Sequence, residues 1–499
     1  MSLLGIDVGT TGCKAAVFSE EGRLIAAAYE EYDVRRSQPG WAELDAVDVW
    51  ERVKRTTAQA VARASSRDPV QALSVSSLGE AMVPVTAQGQ VLGPSLLNFD
   101  ERGEAYLEEL SHALTDERLY RINGNTLGNN YGLTKLKWIQ EHQPDLYARA
   151  DKFLLWGSFV AFMAGAEALV DYSLANRTLL FDVDRGDWSD ELLAWAGLDR
   201  AKLPGTVPSG TIIGQVSERI AGELGLPPGV AIIAGAHDQC ANAVGCGAIQ
   251  DGQAVYGMGT YICITPTFSQ RREPAVMIER GLNTEHHAAP GKYASFIYNQ
   301  GGSLVKWYRD TFAAVERRQA QAAGRDIYAD LIAEIPPEPS SILVLPHFTQ
   351  TGPPRFISDS CGVMVGLRLE TTRGDILKGI LEGTTFYLKE CIESLSATGI
   401  AITDFRAVGG GSKSDAWIQI CADILGRPFV RPKITEAGAL GAAIIAGVGA
   451  RVFSSFESGV EAMVQLERTF EPDAHQQQRY AGRFEEYRKL WPLVKDLLR

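Results

Sequence analysis

Three short stretches carry residue types and spacings able to handle a phosphoryl group. The first, Asp7-Val8-Gly9-Thr10-Thr11-Gly12-x-Lys14, ends an apolar run on a carboxylate and then turns on glycine and threonine. Glycines let backbone N–H groups approach an anion closely, the hydroxyls add donors, and Lys14 brings a cation within reach. Asp7 suits a hydrated Mg²⁺, which takes one or two carboxylates and keeps several waters. By itself the stretch fits a plain hairpin equally well. It is not a Walker A loop, because no G-x-x-x-x-G-K-[ST] occurs and a strand follows it.

The second stretch is Gly235-Ala-His-Asp238-Gln239. Asp238 stands between an apolar strand and a helix, where a carboxylate serves either as an N-cap or as a general base taking a proton from a hydroxyl. The third is Gly409-Gly410-Gly411-Ser412-Lys413-Ser414, a strand–turn–helix junction. It reads as a capped tight turn or as a flat bed for a base and ribose. His237, Cys240 and Cys246 have no standard zinc spacing and no second ligand pair, so buried thiols are the better reading. His286-His287 read as surface or packing positions, and the run Tyr480, Phe484, Tyr487, Trp491, Val494 as a packed helix.

These residues need elements to hold them. Leu3–Val8, Lys14–Phe18 and Leu24–Tyr29 read as three consecutive strands, followed by a helix over Asp45–Ala64 with Asp45 as its cap. Gln71–Ser76 and Met82–Val85 are further strands, and Tyr106–Ala166 is predominantly helical, with Phe153–Met163 as one helix and Trp188–Trp195 as a short one. Val230–Ala234 is a buried strand closed by Gly235–Asp238. Gln253–Gly257 and Tyr261–Thr265, joined at Met258-Gly259-Thr260, repeat the opening pattern. Gly9-Thr10 and Gly259-Thr260 lie 250 residues apart, half the chain. Strand pairs followed by helices in both halves predict two α/β domains facing each other across a cleft.

Composition removes several classes. The chain has 499 residues, 45% of them apolar and 22% charged, which is ordinary for a folded protein of two to four domains. A net charge of −13 without a basic cluster argues against nucleic-acid binding. The longest apolar stretches fall short of the ~20 residues a membrane helix requires. Met1–Asp7 lacks the basic start of a secretory leader, and seven cysteines without C-x-x-C suit a reducing compartment, so a cytoplasmic protein is expected.

Taken in order, the motifs resemble the FGGY carbohydrate kinases, the sugar-kinase branch of the actin/Hsp70/hexokinase-like ATP-binding proteins. The resemblance runs through Gly5–Thr11, Gln38-Pro-Gly-Trp41-x-Glu43, Asp100-x-Arg102 and Gly235-x-x-Asp238. It continues through Tyr256–Thr260, Asn299–Ser303, Leu381-Glu-Gly383, Gly409–Ser414, Gln419-x-x-Ala422-Asp423 and Glu436–Ala443. It implies an α/β fold of two RNase H-like (actin/hexokinase-type ATPase) domains with an inter-domain active-site cleft, residues 1–247 binding sugar and 248–499 binding ATP. It also implies Asp238 as catalytic base, and Asp7 with Asp238 as the Mg²⁺ side. Gly9, Thr10, Thr11, Lys14, Gly259, Thr260, Gly302, Gly410, Gly411 and Ser412 would hold ATP. Glu80, Asp100, Arg102, Asp238 and Gln239 would meet the sugar.

The sugar-contacting stretch Leu78-Gly79-Glu80 departs from the relatives. Xylulose kinases typically carry Gln-Met-His there; glycerol kinases share Glu80 and Asp238-Gln239 but place Arg before the Glu, where this chain has Gly79. Gln38–Trp41 and Asp100-x-Arg102 look more like xylulose kinase. The expected activity is ATP-dependent phosphorylation of a small sugar, with a ketopentose such as D-xylulose first and a short polyol (glycerol- or erythritol-like) or gluconate as alternatives. A non-catalytic sugar-binding regulator of the same fold is the rival from another class, and an actin- or chaperone-like interaction ATPase is disfavoured by the sugar-side motifs. The expected partners are the sugar and ATP, with neither nucleic acid nor membrane, and a homodimer is left open.

Overall fold

Two sheets dominate the computed structural model, which describes residues 1–64, 68–353, 355–357, 361–434 and 436–496. The first sheet runs, edge to edge, Leu24–Glu31, Gly12–Ser19, Ser2–Val8, Val70–Ser77, Ala231–His237 and Ile212–Gln215. Ser2–Val8 is antiparallel to its hairpin partner and parallel to Val70–Ser77, which is parallel in turn to Ala231–His237. The second sheet repeats this order with Ile297–Gln300, Tyr261–Phe268, Gln253–Met258, Asp404–Val408, Phe429–Pro432 and Leu466–Phe470. Directions match strand for strand: an antiparallel hairpin and third strand, two parallel neighbours, and an antiparallel edge. The repeated glycine turns thus occupy equivalent places in two copies of one topology.

Parallel strands buried on both faces need covering helices. Two small-residue helices, Asp238–Gly245 and Ala437–Gly449, cross between the sheets. The Ala437 helix packs on the first sheet: a Cβ on Gly5 would stand 1.8 Å from the Ala439 carbonyl oxygen. The Asp238 helix contributes Ala243, and Cys246 just after it, to a cluster with Val255 and Val408 of the second sheet, while its Cys240, Ala241 and Val244 join a cluster with Leu3, Ala72 and Ile233 of the first. The Ala437 helix therefore covers the sheet of the opposite half, and the Asp238 helix touches both. Where they cross, a Cβ on Gly441 would meet the Ala241 carbonyl oxygen at 1.9 Å, and one on Gly245 the Ala437 carbonyl oxygen at 1.9 Å.

Most expected elements are present. The helix Ala46–Arg63 starts at Asp45, whose side chain accepts from the N–H groups of Val47 and Asp48. Two readings change. Phe153–Leu155 belongs to the strand Lys152–Leu155, paired with Met82–Val85, and the helix begins only at Trp156. An apolar run this short has no period of its own, and sheet pairing decides it. Trp188 lies in a two-residue strand, with the helix spanning Asp190–Ala196 behind Ser189 as N-cap. Tyr480, Phe484 and Tyr487 pack on Phe386, and His287 is buried. Cys240 and Cys246 are buried free thiols. Among the described residues no helix is long and apolar enough to cross a membrane.

Candidate active site

Asp238 is the first residue of its helix, directly after the strand Ala231–His237. Its side chain remains 32% exposed, yet Oδ1 is buried and has no hydrogen-bond partner. Burial, with the negative charges of Asp7 and Glu80, pushes the Asp238 carboxyl up to about 7, against the opposing pull of Gln239. A base poised there can take a proton at neutral pH and hold it. His237 Nε2 lies 3.2 Å from Asp238 Oδ1, but the alignment makes no hydrogen bond. Burial drives the His237 imidazole well below its usual range, so it stands neutral.

Asp7 is the penultimate residue of a central strand of the first sheet, Ser2–Val8, and accepts a hydrogen bond from Ser76 Oγ at 2.7 Å. Burial raises its carboxyl, an effect Ser76 and Lys14 oppose. Asp7 and Asp238 thus place two carboxylates close enough to feel each other's charge, one with an orphaned oxygen. This donor set fits Mg²⁺, which takes one or two carboxylates beside phosphate oxygens and water. Among the described residues no group of three or more His, Cys, Asp and Glu side chains forms a closed cation cage.

The glycine turns frame the nucleotide side. The Gly9–Gly12 hairpin closes through Gly9 N–H donating to the Gly12 carbonyl at 2.9 Å, and Tyr32 Oη donates to both glycine carbonyls. Thr11 is exposed, with Gly9 and Thr10 half-buried beside it. Gly259 and Thr260 are exposed at the equivalent turn. Gly302 packs on that turn: its N–H donates to the Gly259 carbonyl at 3.0 Å, and a Cβ there would stand 2.5 Å from the same oxygen. Gly410 faces open space, whereas Gly411 packs on Trp417 and Met258. Ser412 is buried, and its Oγ donates to the Gly409 carbonyl, so its side chain shapes the turn from within. Lys14 forms an ion pair with Glu436, next to the Ala437 helix.

The acceptor side contains groups that no local pattern reveals. Glu80 sits at φ +62° in a tight turn in which Ala81 N–H donates to the Gly79 carbonyl. Its Oε1 accepts from Arg177 Nε at 2.8 Å and from a second nitrogen of the same guanidinium. Arg177 also donates to Glu285, which accepts from Asn283 Nδ2 at 2.6 Å. The guanidinium stacks 5.1 Å from the Tyr131 ring centroid and 5.5 Å from that of Phe296. The Glu80–Arg177–Glu285 triad joins segments 97 and 108 residues apart. No signal in the sequence points to it, because its members meet only in the folded chain.

Asp100 and Arg102 are engaged differently from the expectation. The Asp100 side chain has no exposed surface. Its carboxylate accepts from Ala42 N–H at 2.7 Å, from Arg102 N–H and Nε at 2.9 Å each, and from a terminal Arg102 nitrogen at 2.6 Å. Arg102 also pairs with Glu43 and lies 3.8 Å from the Trp41 ring centroid. The pair is a strut behind Trp41, with its acceptors spent inside the protein. Gln239 is half-buried against Asp238.

Comparison with known proteins agrees with this geometry. The family described as "FGGY family of carbohydrate kinases, N-terminal domain" matches residues 2–245, and its C-terminal counterpart matches residues 264–450. A protein named xylulose kinase from Staphylococcus epidermidis is 26% identical over 99% of this chain and 97% of its own. A protein named glycerol kinase from Ralstonia nicotianae is 30% identical over 94% of each chain. A solved structure titled "xyloylose kinase", from Brucella ovis, superposes with a TM-score of 0.87 at 26% identity over the full length of both chains.

Proposed function

This chain belongs to the FGGY family of carbohydrate kinases, and on that premise we propose that its phosphoryl acceptor is a small neutral sugar, a ketopentose such as D-xylulose. The observation that carries the reading is Asp238. It is a half-buried base with one carboxylate oxygen fully enclosed and its carboxyl near 7, beside Asp7 and Glu80. Residues 1–247 would hold the sugar and 248–499 the nucleotide. Relatives named xylulose kinase that match nearly end to end support the ketopentose.

The chain's own residues do the following. Glu80 and Arg177 orient the acceptor, with the Tyr131 and Phe296 rings beside them. Asp238 Oδ1 accepts the proton of the acceptor hydroxyl as its oxygen bonds to the γ-phosphorus of ATP, and ADP departs. The Gly9–Thr11 and Gly259–Thr260 turns offer N–H groups and hydroxyls to the phosphates, and Asp7 with Asp238 would hold Mg²⁺. When bound, the ion neutralises phosphate charge that few side-chain cations here could offset.

A short polyol is the second reading, favoured by Glu80 and Gln239, which glycerol kinases share, and by the 30% identical relative named for that activity. A panel of ketopentoses, polyols and gluconate scored by ADP production tests both. Greatest turnover on D-xylulose with a phosphorylated product is expected. Preference for glycerol moves the assignment to the polyol, and ATP hydrolysis indifferent to every acceptor removes the kinase reading.

A further inference from the structure

We infer that the Glu80–Arg177–Glu285 triad determines the specificity of the acceptor pocket: Arg177 donates to substrate hydroxyls, and the triad's surplus negative charge turns a sugar acid away. The inference rests on the kinase reading above. Arg177 follows the short helix Tyr172–Asn176 and reaches the pocket beside Gly79, where a Cβ would stand 3.0 Å from Arg177 Cγ and 3.1 Å from His237 Cδ2. Glycine at position 79 leaves both side chains this close without a shift.

A guanidinium carries five N–H donors. Three hydrogen bonds go to Glu80 and Glu285, which leaves two N–H groups on a side chain still 11% exposed. Three buried polar atoms of this pocket have no partner: Glu285 Oε2 on the arginine's own ion pair, His237 Nδ1 on the ring beside Gly79, and Asp238 Oδ1, which lies 3.2 Å from that ring's Nε2. Buried polar atoms are ordinarily paired, so three orphans in one neighbourhood mark where ligand groups bond. Two of the three are carboxylate oxygens and need donors. A hydroxyl both donates and accepts, so a sugar or polyol can satisfy these oxygens while accepting from Arg177. A substrate carboxylate offers no donor and meets a triad whose formal charge is already −1, beside Asp238.

Arg177 also joins the turn that carries Glu80 to the segment that carries Glu285. Glu80 holds a left-handed conformation unusual for a side-chain-bearing residue, and its two bonds to Arg177 oppose relaxation of that turn.

The test compares Arg177→Met, Arg177→Lys and Glu285→Gln with wild type on the preferred neutral acceptor and on gluconate. For Arg177→Met, kcat/KM on the neutral acceptor is expected to fall about 10²-fold, with the KM for ATP within about threefold of wild type. Selectivity for the neutral acceptor over gluconate should rise at least about tenfold, because losing the cation takes the triad's formal charge from −1 to −2. Arg177→Lys, which keeps the charge but loses the fork, should recover only part of the loss. If Arg177→Met does not fold, Glu285→Gln reads the same point: it keeps the arginine but lowers acceptor affinity in calorimetry, with ATP affinity unchanged. Unchanged selectivity in folded Arg177→Met, or equal losses for acceptor and ATP in either variant, overturns the role of Arg177 while leaving the kinase reading intact. A wild-type protein that phosphorylates nothing in the panel overturns the kinase reading, and this inference with it.

Discussion

Asp7 and Gly438 meet where the two halves join: a Cβ on Gly438 would stand 3.1 Å from Asp7 Oδ2 and 3.2 Å from Oδ1. The carboxylate expected to hold Mg²⁺ therefore rests on the first turn of a helix supplied by the other half of the chain. A helix start favours a negative charge, which offsets part of the cost of burying Asp7. Gly438→Ala must displace that carboxylate by a few tenths of an ångström. The expected result is a higher Mg²⁺ requirement with little change in acceptor KM, and Asp7→Asn should do the same more strongly. Titrating Mg²⁺ against ADP production reads both, and a defect confined to the acceptor would move Asp7 to the sugar side.

The base predicts a pH profile. Asp238 is active when deprotonated, and its carboxyl lies near 7, so kcat/KM should decline as pH falls through about 7. Asp238→Ala should slow phosphorylation by about 10²–10⁴-fold and erase this acidic limb from the residual rate. Glu80→Gln removes a like charge that raises Asp238, so its limb should move to lower pH. A wild-type profile flat between pH 6 and 8 would count against Asp238 as the base.

Asp7, Asp238 and the two Gly-Thr turns were legible because each is a local pattern: an apolar run, a carboxylate at its end, then glycines. The duplication was legible for the same reason, since a strand–turn–strand repeats half a chain later. Arg177 and Glu285 were not, because their partners lie 97 and 108 residues away and nothing local marks them. Asp100-x-Arg102 shows the opposite limit. Its motif was visible, but a sequence does not say whether an acid two residues from an arginine faces a ligand or its neighbour. Here the neighbour takes it. Phe153–Leu155 was misassigned because three apolar residues suit strand or helix until Met82–Val85 pairs with them.

A second buried carboxylate predicts stability rather than rate. Glu382 accepts from Ser340 N–H through both oxygens, at 3.0 and 3.1 Å, and from Tyr480 Oη at 3.0 Å. Burial nevertheless pushes its carboxyl up to about 7. The folded state holds this proton more tightly than the unfolded chain. Its contribution is therefore fully present below about pH 4.5 and lost as pH rises through about 7, on the order of 3 kcal/mol in all. Glu382→Gln stays neutral, so its denaturation midpoint should fall less than wild type's between pH 5 and 8. Parallel curves for the two proteins would sink the assignment.

The helix crossing gives the last prediction. Asp238–Gly245 and Ala437–Gly449 touch backbone to backbone: a Cβ on Gly441 would stand 1.9 Å from the Ala241 carbonyl oxygen and 3.0 Å from Gly245 N. No rotamer relieves a contact with backbone, so Gly441→Ala must push the helices apart. Overpacking of this kind costs about 3 kcal/mol, which should lower the thermal midpoint by roughly 6–12 °C. The functional consequence follows from what the helices carry. One begins at Asp238 and the other lies against Asp7, so their spacing sets the distance between base and metal side. Gly441→Ala should therefore lower kcat, in folded protein below its midpoint, more than it raises either KM. Gly482, exposed on a helix remote from the crossing, has no atom within 4 Å of an added Cβ, so Gly482→Ala should leave kcat unchanged and, with the better helix former, raise stability by about 1 kcal/mol rather than lower it. If Gly441→Ala lost stability but kept wild-type kcat at low temperature, the crossing would hold the halves together without setting the catalytic geometry.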